Sequence, residues 1–365
     1  MKSRFFKTLL ALSVGIGAQA SADTTLRVTT DPDFTLPDPT QDTRYYDADG
    51  KVDELDLADY QRLGVHSDFT IGKITNSAEK TVHLAANLTV NSDLEAKEIV
   101  VNQYDKKCEL NVNGNLKTGS MTIDQGEKVV VSGTTEINVQ VALRGNSTLQ
   151  TGKLVINGSG SFPSEIINST ILADEIEVNS QTFSLKGGTI SAADGSGTFT
   201  VGEGGSVTQQ GTAVKLDTVV DGGTITMYKG SFDGITMEEG KLDVRGNVTT
   251  GALTLNGGEL SINSGCVIDL GGNDLVLSDN VAITVNVLSL DDTLTQNYVL
   301  FTNMGEVTGS SLDVTFQTYD KTESQKAVLT YNEDGTVTVA AIPEPATVTL
   351  SLLALAGLCA RRRRQ

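Results

Sequence analysis

The sequence predicts an all-β protein: a parallel β-helix, or β-solenoid, with an antiparallel C-terminal cap, an N-terminal signal peptide and a short C-terminal transmembrane helix. Three observations predict this. From about Ser67 to Val339, short alternating runs such as KVVVSGTTEINVQV and GALTLNGGELSI are separated by NG, GG, GN or DG steps. Alternation at period two marks strands, and those dipeptides mark tight turns. A degenerate repeat recurs: VNGNLKTGSMTID from Val112, LRGNSTLQTGKLVIN from Leu143 and VRGNVTTGALTLN from Val244. Each reads apolar, x, Gly, Asn, a spacer, Thr-Gly, x, then an alternating strand ending in Asp or Asn, the pattern of stacked coils. Aromatic residues are only 5% of the chain, against 37 Gly, as a narrow core filled by Val, Ile and Leu would require. A set of antiparallel sandwiches is the alternative architecture.

Residues 1–22 read as a signal peptide. Lys2, Arg4 and Lys7 precede an apolar run from Thr8 to Ala18, and small residues follow. Ala20-Ser21-Ala22 fits an A-x-A cleavage site for signal peptidase, so Ala20 and Ala22 are the cleavage-site residues and the exported chain begins at Asp23. Ala18-Gln19-Ala20 is the competing site.

Residues 23–66 read as an acidic linker. DPDFTLPDPTQD carries three of the six prolines. The stretch YYDADGKVDELDLADYQRL, from Tyr45 to Leu63, has the spacing of a calcium loop around Gly50. Asp47, Asp49, Lys51 (through its carbonyl), Asp53 and Asp56 fall at ligand positions, and calcium takes six to eight oxygens. Leu57, Tyr60 and Leu63 continue as one face of a short helix. The stretch resembles one half of a dockerin repeat, which implies bound calcium. Tyr45 stands where such loops carry Asp, and no second copy follows.

Residues 67–280 hold the solenoid repeats. The texture resembles, loosely, that of autotransporter-like passenger domains. Corner glycine pairs stand at Gly187-Gly188, Gly222-Gly223, Gly257-Gly258 and Gly271-Gly272, and asparagines near corners are expected to stack in ladders. Residues 281–341 read as a β cap. The strands lengthen there, Asn332-Glu333-Asp334-Gly335 is a hairpin signal, and antiparallel strands would close an open end.

Residues 342–365 form the last element. Ala346 to Ala360 carry no charge. The run is shorter than the usual span of about 20 apolar residues, and four arginines beyond it favour a cytoplasmic end. Pro343 and Pro345 hold Glu344 in open backbone. Pro343, Glu344, Pro345, the apolar run and Arg361, Arg362, Arg363 and Arg364, in that order, resemble a PEP-CTERM sorting signal. The resemblance covers only these terminal residues. It implies a transient stay in the inner membrane, processing by an exosortase, and delivery to the cell surface or the extracellular space of a bacterium that makes extracellular polysaccharide.

Charge and chemistry narrow the function. Without residues 1–22 and 343–365 the chain loses seven of its 27 basic and one of its 46 acidic residues, leaving 20 against 45 and a net charge of −25. Such a body is not a nucleic-acid binder, because that affinity comes largely from Lys and Arg. Cys108 and Cys266 lie far apart without a CxxC, so neither a disulfide framework nor a zinc site is expected. His66 and His83 are too few and too isolated for a triad, and are expected at the surface. GxSxG, HExxH and P-loop patterns are missing from the sequence. Glycosidase chemistry needs paired carboxylates. Asp174, Glu175 and Glu177, or Asp291 and Asp292, are the candidates, though neither set stands out in so acidic a chain. The expectation is a non-enzymatic surface protein that touches extracellular polysaccharide or another surface ligand, in an adhesive or structural role. The alternative is a carbohydrate-active β-helix enzyme with the same sorting tail.

Overall fold

The computed structural model describes residues 24–38, 40–102, 107–158, 163–179, 182–294, 296–309 and 313–342. The residues expected to form a signal peptide, Ala20 and Ala22 among them, and the sorting residues from Pro343 onward, with the expected transmembrane helix, lie outside these. Among the described residues no helix is long and apolar enough to cross a membrane. The one helical element among the described residues is a single 3₁₀ turn, Asp291–Leu294.

The chain winds into a parallel β-solenoid with three faces. On the first face, Thr25–Thr29 pairs in parallel with Arg62–Val65, which pairs with Thr81–Leu84, and residues 98–101, 120–123 and 140–144 follow in register. The second face stacks Phe69–Thr75, Leu88–Val90, Glu109–Val112 and then residues 128–131, 148–151 and 170–173. The third stacks residues 94–96, 116–118, 135–137, 153–156, 175–178 and 198–201. Parallel register follows from the repeat, because each coil presents the same face to the next.

Alternation does the packing. On the first face the inward file runs Val28, Val65, Leu84, Val101, Ile123, Leu143, Ile166 and Leu185, each in register with the next. All eight are fully buried. Burying each such side chain contributes about 1.5–3 kcal/mol, and the file is continuous, so a coil is stable only between its neighbours. The file is broken at Gln209, which is in register with Leu185 and equally buried. Its Oε1 accepts from the amides of Gly211 and Thr212 at 3.1 and 2.9 Å, and its Nε2 donates to the Thr212 carbonyl at 2.8 Å. Gly230 passes over this carboxamide with φ 118°, and a Cβ there would sit 2.8 Å from Gln209 Cδ.

The corners account for the repeat. Thr118, Thr151 and Thr250, each followed by Gly, all point inward and are buried. The Thr118 hydroxyl donates across its glycine to the Ser120 carbonyl at 2.9 Å. Asparagines stack outside the corners as expected. Asn179 Nδ2 donates to Asn157 Oδ1 at 3.1 Å, and Asn157 Nδ2 lies 3.5 Å from Asn138 Oδ1. Asn113 donates to Asn91 at 2.8 Å, and Asn286 to Asn263 at 3.2 Å.

Both ends differ from expectation. The acidic segment 23–66 is no linker, because its strands form the first coils. Thr25–Thr29 sits between Asp42–Tyr46 and Arg62–Val65, and Lys51–Asp56 pairs with Phe69–Thr75. The expected helix from Leu57 to Leu63 is a turn followed by a strand. Leu57 and Leu63 are both fully buried at the corner, an arrangement that satisfies the same apolar spacing. At the other end the solenoid runs past 280. Val281–Val287 and Asp313–Thr318 continue the parallel ladder of the first face, since alternation looks the same in parallel and antiparallel strands. The antiparallel cap proper is Ser324–Tyr331 with Val337–Ala341, folded from Asp313–Thr318 across to Tyr298–Thr302. Its turn closes through Asn332 N to Thr336 O at 2.9 Å, with Gly335 at φ 76°.

Candidate functional site

The calcium-loop residues do not form an EF-hand. Lys51, Asp53 and Asp56 lie on the strand Lys51–Asp56, whose alternation spreads them along the coil where a loop would wrap them round an ion. Asp47 Oδ1 accepts from Asp49 N at 2.9 Å and closes the turn at Gly50, whose φ is 62°. Asp56 Oδ1 accepts from Asn76 Nδ2 at 2.8 Å and Ala58 N at 3.0 Å, and the Asn76 bond holds its carboxyl below the usual range. Among the described residues no three His, Cys, Asp or Glu side chains come together as a metal site. Tyr45, at the position of a missing ligand, packs against the core, edge-on to Phe69 at 6.1 Å. The acidic side chains instead line an edge: Asp42–Tyr46 and Lys51–Asp56 have one ladder neighbour each, and charge there discourages edge-to-edge pairing.

Just above this edge lies a cluster that the sequence did not reveal. Arg27 Nε donates to Asp42 Oδ2 at 2.7 Å, and its Nη1 lies 2.8 Å from His66 Nε2. The Phe34 ring stacks on His66 at 4.7 Å. His66 is therefore half-buried and bonded, where an isolated surface residue was expected. Burial and the Arg27 and His83 charges pull its pKa down to about 4. Cys108 and Cys266 are both free. Cys108 is buried with Sγ 3.4 Å from Glu127 Oε1, and burial, then the Glu127 charge, push its thiol up to about 12.

Of the carboxylate candidates, Glu175 and Glu177 fall on the third face. Glu175 and Glu177 point outward, as alternation requires, and both bind Lys153, one coil earlier, at 2.9 and 2.7 Å. The hydrogen bond from Lys153 holds Glu177 below its usual range, and the two glutamates raise Lys153. A second cluster, Arg144–Glu165–Lys186, sits on the first face. Burial alone would raise Glu165, but Arg144 and Lys186 bring it below the ordinary carboxylate value. A general acid needs a raised carboxyl, and a lyase base needs a depressed amine; these groups are shifted the other way. Asp174 accepts from Ala193 N at 3.3 Å, and Asp291 and Asp292 are exposed in the 3₁₀ turn. The partners in each cluster are roughly a coil apart, 21 or 22 residues in sequence for Arg144–Glu165 and Lys153–Glu175, a spacing invisible without the register.

Beyond this cluster the outward row of the third face changes character. Glu177 is followed in register by Thr200 and Val219. Further up, Thr236, Thr254, Val276 and Thr308 are in register. Coils of a parallel ladder repeat every ~4.8 Å, so this is a flat, uncharged row of β-branched side chains on a strongly acidic body. A shallow, open polar hollow of about 490 Å³ lies at a corner, lined by Gly145, Asn146, Asn168, Ser169, Thr170 and Gly188.

The geometry thus defines a stacked parallel β-solenoid with regular outward faces and a C-terminal cap from which the tail leaves. The family model for the PEP-CTERM protein-sorting motif matches residues 341–364 of this tail. The chain therefore carries a PEP-CTERM sorting signal, which marks it as an exported substrate of an exosortase, bound for the cell surface or extracellular space. No curated protein and no solved structure matches the chain.

Proposed function

We propose that the protein is a non-enzymatic surface protein. Its solenoid is displayed at the cell surface or within the extracellular polysaccharide matrix, in an adhesive or structural role. Signal peptidase removes residues 1–22, the tail resides transiently in the inner membrane, and an exosortase cuts near Pro343-Glu344-Pro345. The observation that carries this reading is the pairing of a sorting signal at residues 341–364 with a rigid stack whose faces are repetitive. What favours a binding role over catalysis is the state of the charged clusters: Lys153 with Glu175 and Glu177, and Glu165 with Arg144 and Lys186, neutralise one another on flat strand faces. Calcium is not used in this reading: Asp47 and Asp56 accept from backbone amides in turns, and Lys51, Asp53 and Asp56 lie along one strand.

The test is replacement of Pro343-Glu344-Pro345 by three alanines in the native host, followed by fractionation. The expected outcome is accumulation of an unprocessed species in the inner membrane and loss of the surface form. Normal surface display of the variant would overturn the sorting step. Incubating the purified body with host polysaccharide separates the two roles: retention without shortening of the polymer is expected, and chain cleavage would make it an enzyme.

A further inference from the structure

The cap strands differ in composition from the rest of the body. Ser324–Tyr331 and Val337–Ala341 contain no acidic residue and a single Lys, in a chain whose body has 45 acids. Ala327, Leu329, Val337 and Val339 face the core, so the alternate positions of the hairpin face outward. There Val328 lies beside Ala340 and Thr330 beside Thr338, while Ile342 N donates to the Lys326 carbonyl at 3.0 Å. Val328 and Ile342 are 48% and 47% exposed. At the rim, Leu288 is 84% and Tyr319 47% exposed, and Tyr319 N bonds the Val287 carbonyl at 3.2 Å, which places the two side by side. Of the eight exposed large hydrophobics among the described residues, five lie at this end: Leu288, Tyr319, Val328, Tyr331 and Ile342. The acids nearby, Asp320, Glu323, Glu333 and Asp334, sit in or beside the turns at the two ends of the hairpin. Asp291 and Asp292 are exposed in the 3₁₀ turn whose Thr293 bonds Gln325, and the single Lys326 is exposed in the outward row beside Ile342.

The length of chain beyond the cap says what covers this surface. Ile342 is fixed to the cap by its amide and by its carbonyl, which accepts from Gln325 Nε2 at 3.2 Å. The uncharged run starts at Ala346. The intervening residues, at no more than ~3.6 Å each, hold Ala346 within about 14 Å of Ile342. The headgroup layer is about 5–8 Å thick. A tail inserted in a bilayer therefore keeps the cap at the headgroups.

We infer that the outward face of the cap hairpin, centred on Val328 and Ile342 with Tyr319 and Leu288 at its rim, rests on the membrane surface in the tailed precursor, holding the solenoid upright with Tyr46 at the far tip. This rests on the membrane-inserted tail of the proposed function. Tyrosines suit that interface, and apart from Lys326 the contact is uncharged, so it survives high salt.

The chain has no Trp, so a single one reports its own surroundings. The precursor with its tail is reconstituted into phosphatidylcholine vesicles as Val328→Trp, as Thr330→Trp on the same face, and as Tyr46→Trp at the opposite end. Lipids bearing a headgroup nitroxide are the quencher. Several-fold stronger quenching and a blue-shifted emission are expected at 328 and 330 relative to 46, unchanged in 0.5 M salt. If the tail resists carbonate extraction but all three report the same aqueous environment, the seat on the membrane is wrong and the anchored tail stands. If the chain does not enter vesicles at all, the anchored-tail reading falls and this inference with it.

Discussion

The hydroxyl of Thr151 lies 2.8 Å from the carbonyl oxygen of Gly133, one coil earlier in the stack. The same hydroxyl accepts from Thr135 at 3.0 Å, and both threonines are buried. This is how a Thr-Gly corner satisfies its polar groups inside an aliphatic core. Thr250 occupies the equivalent place before Gly251, but its buried hydroxyl has no hydrogen-bond partner.

The two positions should therefore respond oppositely to the same isosteric change. Thr151→Val strands the Thr135 hydroxyl and should destabilise by about 1–3 kcal/mol, whereas Thr250→Val removes an unsatisfied group and should be neutral or stabilising. Denaturant midpoints of the two variants check this. Equal changes at the two positions would mean that the hydrogen bonds of Thr151 do not set the two corners apart.

Tyr45 caps the core and leaves a calcium-ligand position of the sequence pattern without its usual oxygen. Tyr45→Asp completes the pattern on paper while removing the plug over Phe69. Loss of the buried ring area should cost about 1–3 kcal/mol, and millimolar calcium should not restore the melting temperature. A calcium-dependent rise in the variant would show that the loop can still wrap an ion.

Acidification should weaken the N-terminal coils through His66. Its pKa in the fold is about 4, against an ordinary 6.5, and Arg27, Asp42 and His83 are the charged or titratable groups around it. Between those values the unfolded chain binds a proton that the folded chain refuses. The contribution is complete above pH 6.5 and is lost as pH falls toward 4. Between pH 7 and 5 the melting temperature of the wild type should fall more than that of His66→Gln, which can still accept from Arg27. Parallel pH profiles would leave His66 without this role.

Much of the fold was legible because a solenoid repeats its local rules. Alternation in GALTLNGG and the Gly-Asn steps mark strands and corners wherever they occur. The phase was not legible. Val112 ends a strand of the second face, while Leu143 and Val244 close strands of the first, so one Gly-Asn signal serves two different corners. The DADGK stretch is ambiguous in sequence because a turn at an acidic sheet edge and a calcium loop both want Asp and Gly. Lys153 and Glu175 meet only through the register. The sorting motif was legible, since its signal is an order of residues and needs no fold.

The most direct test of the whole account is the intact mass of the protein recovered from its own cells, fraction by fraction. A chain beginning near Asp23 and ending close to Pro343, in the outer or extracellular fraction, is the expected result. A chain that keeps Arg361 to Gln365 and stays in the inner membrane would contradict it, leaving the tail a plain anchor and surface display untenable.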